Sequence, residues 1–185
     1  MIQAHPRWLS TVAVGMFLPL AAGCGAPYLV TAPLTAHLPS GSTYTIGPIV
    51  MDPPDSSSKK AGPSPEEIAN FQMHLSEQLR TVYIDGLSPA PQGPGDYQVT
   101  GRIFGYSSGS ADGTPVSAGG GGAYVACALE LREVATGRIV FGGRFQPGAF
   151  DSGSQAFSKT AYRFVEALRK QVNELPRPSR STGAR

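Results

Sequence analysis

Two positions in this chain combine a reactive residue type with a telling spacing. Cys24 closes the run Leu20-Ala21-Ala22-Gly23-Cys24, and Ser107 sits at the centre of Gly105-Tyr106-Ser107-Ser108-Gly109. A thiol directly after small side chains is a place where a peptidase can cut and a lipid can be attached. Ala22 and Gly23 leave the bond before Cys24 unobstructed, and its sulfur is the nucleophile. The serine has the Gly-x-Ser-x-Gly spacing that exposes a hydroxyl at a sharp strand-to-helix turn.

The residues before Cys24 favour the first chemistry. Arg7 is the only charged side chain there, and Leu9 to Ala22 is apolar or small apart from Ser10 and Thr11. A membrane span needs about 20 apolar residues, so this segment is too short to cross. It fits the apolar core of a secretory signal, about 7–15 residues long. Pro19 also argues against a continuous helix. Residues 1–23 therefore read as a signal peptide cut between Gly23 and Cys24. The run resembles the signal of bacterial lipoproteins, with one departure: the leucine usually three before the cysteine is here Ala21, and Leu20 stands one place earlier. The resemblance implies acylation of Cys24 by two or three chains, and two chains suffice for stable anchoring in membrane lipid. Gly25 in place of an aspartate implies the outer membrane, facing the periplasm, in a Gram-negative host.

The second chemistry is poorly supported. No helix pattern follows Ser107, and all three histidines, His5, His37 and His74, precede it, whereas this hydrolase order needs the histidine afterwards. Gly119 to Gly122 has no Gly-Lys-Ser/Thr after it and leads into a strand, so it reads as a flexible bend and not as a phosphate cradle. After processing, only His37 and His74 remain, far apart and with no paired-cysteine or His-x-x-x-His spacing, so no metal site and no cofactor are expected. Glu66 and Glu67 open a helix, Glu166 stands four before Lys170, and Glu130 and Glu133 flank Arg132. None of these suggests an acid–base pair. The expectation is that the protein is not an enzyme. The net charge of +2 is too small to attract nucleic acid. Lys159, Arg163, Arg169 and Lys170 read as a solvated helix face. With Cys24 acylated, Cys127 has no disulfide partner. It alternates with Val125, Leu129 and Leu131 as a small buried hydrophobe.

The elements that would hold these residues can be read from periodicity. Residues 24–42, with Pro27, Pro33 and Pro39 and few charges, read as a flexible tether. Tyr44 to Met51 reads as a strand in which Pro48 marks an edge or a bulge. Ser64-Pro65-Glu66-Glu67 is a capping box. Ile68, Phe71, Leu75, Leu79 and Val82 then give one apolar helix face. Leu87 to Gly95 reads as loop. Tyr97 to Ile103 alternates as a strand, and residues 107–122 form a mobile Gly/Ser loop. Tyr124 to Val134 and Arg138 to Phe145 make a hairpin around Ala135-Thr136-Gly137. Residues 155–175 form a second amphipathic helix, and residues 176–185 form a disordered basic tail. The fold expected for residues 43–175 is α+β: a two-layer sandwich with a small mixed sheet of about four strands, ordered β-α-β-β-β-α. Both helices should pack on one face, and the strands joined through the first helix should run parallel.

Tyr97-Gln98-Val99-Thr100-Gly101-Arg102-Ile103, followed by the strand–turn–strand from Leu129 to Val140, resembles the core of a broad group of envelope lipoproteins. That group includes the curli-secretion lipoprotein, activators of cell-wall synthases, auxiliary lipoproteins of lipid-transporting ABC systems, and lipoproteins with uncharacterised domains. The resemblance implies a non-enzymatic interaction or scaffold domain, anchored in the cell envelope and binding another envelope protein. The alternative is a ligand-binding auxiliary subunit of an envelope lipid-transport system. It would need an apolar groove near Phe104, Tyr106 and Phe150.

Overall fold

The computed structural model describes residues 28–52, 62–107, 124–146 and 153–176. The expectations for residues 1–23, Cys24, the glycine run, Phe150 and the basic tail beyond Pro176 lie outside the described residues.

The α+β class is as expected, with two helices and a mixed sheet, but the sheet has six strands where about four were expected. The elements are β1 (Tyr28–Ala32), β2 (Ser42–Met51), α1 (Pro65–Thr81), β3 (Leu87–Pro89), β4 (Tyr97–Ser107), β5 (Tyr124–Glu133), β6 (Ile139–Phe145) and α2 (Gly153–Glu174). Across the sheet the order is β1-β6-β5-β4-β2-β3. β2 runs parallel to β3 and β4, and the other pairings are antiparallel.

The largest correction concerns the tether. Residues 28–42 belong to the folded domain. Tyr28 to Ala32 pairs with β6, and the Tyr28 ring stacks on Phe145 at 5.9 Å. Leu34 and Leu38 are buried in the core. Three prolines and few charges suggested a linker. Yet Tyr28 and Val30 alternate inward against exposed Leu29 and Thr31, as in a strand with one buried face. The other addition is β3, a three-residue strand in the expected 87–95 loop that pairs with Ser42 to Tyr44.

Both helices cover one face. Ser64 caps α1 by accepting from the Glu67 N–H while the Glu67 carboxylate accepts from the Ser64 N–H. These bonds satisfy two of the amide donors left over at a helix start. Phe71, Leu75 and Leu79 are buried beneath it. From α2, Phe157, Ala161, Phe164, Val165, Leu168 and Val172 meet the sheet residues Val99, Ile103, Val125, Cys127, Leu129, Leu131, Phe141 and Phe145. Phe164 lies 5.7 Å from Phe141 and 5.5 Å from Phe145, the latter edge-on. Such pairs add to the burial of apolar area.

Pro48 marks both an edge and a bulge. The β2–β4 register shifts between Ile46 and Ile49, and β3 covers only Ser42 to Tyr44. Gln72 of α1 donates to the Gly47 carbonyl at 2.8 Å, next to a proline that has no N–H to offer. A further strand finds little to pair with there.

Candidate functional site

The sheet has two chemically different ends. At one lie Tyr28, Met51, Ser107, Tyr124 and Phe145; at the other lie Ser42, Tyr97, Glu133 and Ile139. The ionisable groups with built surroundings gather mainly at the second end.

There, a cleft of about 490 Å³ is walled by Pro39 to Ser42, Gly95 to Tyr97 and Glu133 to Ala135. A second cleft of about 240 Å³ shares Pro39, Tyr97 and Glu133 and adds His37, Arg138 and Ile139. Asp96 fixes the wall between strands. Its carboxylate accepts from the Thr43 N–H at 2.8 Å and the Thr43 hydroxyl at 2.9 Å, while the Asp96 N–H donates to Thr43 Oγ1 at 3.2 Å. The Thr43 N–H, followed by its hydroxyl, holds the Asp96 carboxyl below the usual carboxylate range. The Asp96 carbonyl accepts from the Val134 N–H at 2.8 Å, tying the hairpin turn to the same wall. Gly95 permits this approach: a side chain there would meet the Thr43 oxygen and the Tyr44 backbone at 2.9 Å. Glu133 lies 3.6 Å from Arg138 and accepts from Thr136 at 2.6 Å. Burial raises the Tyr97 hydroxyl pKa, with a smaller contribution from Glu133. His37 Nε2 sits 2.9 Å from the Pro176 carbonyl, pinning the end of α2 to this region.

This arrangement offers hydrogen bonds and a mixed charge in a shallow, open setting. Among the described residues no group of three or more His, Cys, Asp or Glu side chains is placed to hold a metal ion. Likewise, among those residues no helix is long and apolar enough to cross a membrane.

The other residues singled out in the sequence are dispersed. Ser107 ends β4 opposite Tyr124, and Ser108 and Gly109 lie outside the described residues. His74 is on α1, 3.9 Å from Glu77. Cys127 is fully buried, and burial pushes its thiol pKa up. Phe104 and Tyr106 do not line one groove. The register shift between Ile103 and Gly105 helps to place them on opposite faces: Phe104 stands on the open face, while Tyr106 stacks on Phe157 at 6.0 Å under the helices. Tyr106 also donates to Glu67, lowering the Glu67 carboxyl pKa; burial, and after it this bond, raises the pKa of the Tyr106 hydroxyl.

The Asp96–Thr43 clasp was invisible in the sequence because its partners are 53 residues apart. The one local hint was an acid directly before a strand.

The fold is similar to that of PelC. Two crystal forms of the PelC dodecamer from Paraburkholderia phytofirmans superpose with TM-scores of 0.53 and 0.52 at 12% and 15% identity. They cover 77% of this chain and 96% and 95% of theirs. Slighter likenesses are to protein XCC0632 from Xanthomonas campestris, of the family model DUF330 (TM-score 0.47, 11% identity, 77% of this chain and 95% of that one). Another is to a candidate lipoprotein from Caulobacter crescentus (TM-score 0.40, 11% identity, 62% and 89%). No protein-family model matches the sequence, and no curated protein does.

Proposed function

We propose that this is a non-enzymatic interaction domain of the bacterial cell envelope, anchored through acylated Cys24, that binds a protein partner with the end of the sheet remote from the anchor. The observation that carries this reading is the pair of joined clefts bounded by Pro39–Ser42, Asp96–Tyr97 and Glu133–Ala135. Their walls are tied together by the Asp96–Thr43 and Val134–Asp96 bonds. Exposed Val134 and Ile139 stand beside hydrogen-bonding groups and charges of both signs. Apolar contacts with a polar rim characterise protein-binding patches.

The chain enters the domain at Tyr28, and β1 then carries it away from that point towards the clefts. With Cys24 only four residues before Tyr28, the clefts face away from the membrane. The PelC dodecamer makes a second copy of this chain the first partner to look for.

The test is photocrosslinking in living cells, with the reactive residue at Val134 or Ser40 and a reference at Tyr162, an exposed position on α2. One discrete adduct from the cleft positions and none from Tyr162 is the expected result. Its mass separates a second copy from a different envelope protein. Equal or absent labelling at all three positions overturns the reading.

A further inference from the structure

The open face of the sheet carries a feature unrelated to the clefts. Leu29, Val50, Phe104 and Tyr124 are large apolar side chains exposed there, at 63%, 51%, 43% and 37%. They come from four different strands. The register puts Leu29, Arg144, Arg102 and Val50 in one row across the sheet, and Phe104 and Tyr124 lie beyond that row, towards the end where Tyr124 faces Ser107 and β4 stops. This is the end at which Tyr28 begins β1. Two guanidinium groups lie among them. Arg144 sits 5.3 Å from the Phe104 ring centroid, and Arg102 is 3.2 Å from the Asp52 carboxylate.

Covalent geometry decides what such a patch can meet. Only Gly25, Ala26 and Pro27 separate Cys24 from Tyr28, so the four Cα-to-Cα steps between them reach only about 14 Å even when fully extended. A domain held that closely cannot stand clear of the surface that holds its anchor. Apolar side chains beside guanidinium groups match the headgroup–acyl boundary, where apolar groups enter the interface and cations meet phosphate.

We infer that this end of the open sheet face, built from Leu29, Val50, Phe104, Tyr124 and Arg144, rests on the phospholipid surface that holds Cys24. The contact fixes the orientation of the domain and leaves the clefts pointing outward. The inference depends on the acylation of Cys24 proposed above. It makes the anchor and the patch two parts of one attachment.

Tryptophan fluorescence tests it cleanly, because Trp8 is the only tryptophan and precedes the cleavage site. Leu29→Trp, Phe104→Trp and, as reference, Tyr162→Trp are made in the full chain. The acylated proteins are placed in vesicles of phosphatidylethanolamine and phosphatidylglycerol with brominated acyl chains. Quenching by at least about twofold with a blue shift is expected at both sheet positions and little change at Tyr162→Trp, as for side chains buried about 5–10 Å into the interface. Quenching at Leu29→Trp alone, next to the anchor, overturns the patch, as does equal exposure of all three reporters. A blue shift without quenching also overturns it, and shows that protein covers the face. The mass of the mature chain is measured on the same samples. An unmodified Cys24 overturns the anchoring itself, a failure separate from that of the patch.

Discussion

Thr43 and Asp96 clasp each other across the start of two parallel strands, the Asp96 carboxylate accepting twice from Thr43 and the Asp96 N–H donating back to its hydroxyl. The pair holds one wall of the larger cleft and couples it to the hairpin turn through Val134. Because the carboxylate form makes these bonds, the folded state holds the Asp96 pKa below its unfolded value. The resulting stability is fully present above the unfolded pKa and is lost as pH falls through the folded one. Asp96→Asn should lower the melting temperature at neutral pH and flatten its decline into the acid range. Thermal unfolding of both proteins across that range measures this. An unchanged acid slope would show that the clasp has no energetic weight.

Tyr106 and Glu67 make the second linked pair. Tyr106→Phe removes the main cause of the lowered Glu67 pKa, leaving the Ser64 bonds of the cap. The carboxyl should then titrate closer to its ordinary value, as carboxyl NMR would detect. Stability should fall by about 1 kcal/mol or less, the net worth of one hydrogen bond. The capping box was legible from Ser64-Pro65-Glu66-Glu67 because it is local. The tyrosine that shares its glutamate was not, because the bulge after Ile103 decides which face Tyr106 occupies, and a one-residue irregularity leaves no mark on the alternation.

Cys127 should resist maleimide in the native protein and react on unfolding. It is fully buried between Val125 and Leu129, and burial raises its thiol pKa, so both access and the thiolate are withheld. Labelling rates with and without denaturant give the contrast. Rapid native labelling would mean that β5 opens readily. This site was readable in advance, since Cys127 alternates with Val125, Leu129 and Leu131, all of them buried.

Gly95 should not tolerate a side chain. Gly95→Ala would push a methyl group to 2.9 Å from backbone atoms of Thr43 and Tyr44, which belong to a paired strand and cannot swing aside. Overpacking of this kind costs about 1–3 kcal/mol. Gly93→Ala is the useful comparison: it meets nothing within 4 Å, and its positive φ of 71° is the only obstacle. Chemical denaturation should rank Gly95→Ala as the more damaging. The glycines and prolines around these positions suggested a loop correctly, but not that the loop packs against a strand. Close approach depends on what lies opposite.

The segment before Ser42 is where composition misled most, and it offers the sharpest test. A tether residue contributes nothing to stability, whereas Leu34 and Leu38 are 6% and 7% exposed within the core. Leu38→Ala and Leu34→Ala should each cost about 2 kcal/mol or more, as buried leucines do when truncated. Leu29→Ala, on the open face of the neighbouring strand, should be nearly neutral in the absence of membrane. Urea denaturation of the three variants separates the alternatives, and equal neutrality would return residues 28–42 to the status of a linker. The physical lesson lies in Tyr28 to Ala32. Five residues give a short alternation, and flanking prolines are equally at home in linkers and at strand ends. What makes the segment a strand is the open edge of β6, which local sequence does not reveal. The difference matters for the proposed function: with Cys24 acylated, a domain folded from Tyr28 onward would be held within about 14 Å of its anchor, where a flexible tether through Ser42 would let it roam.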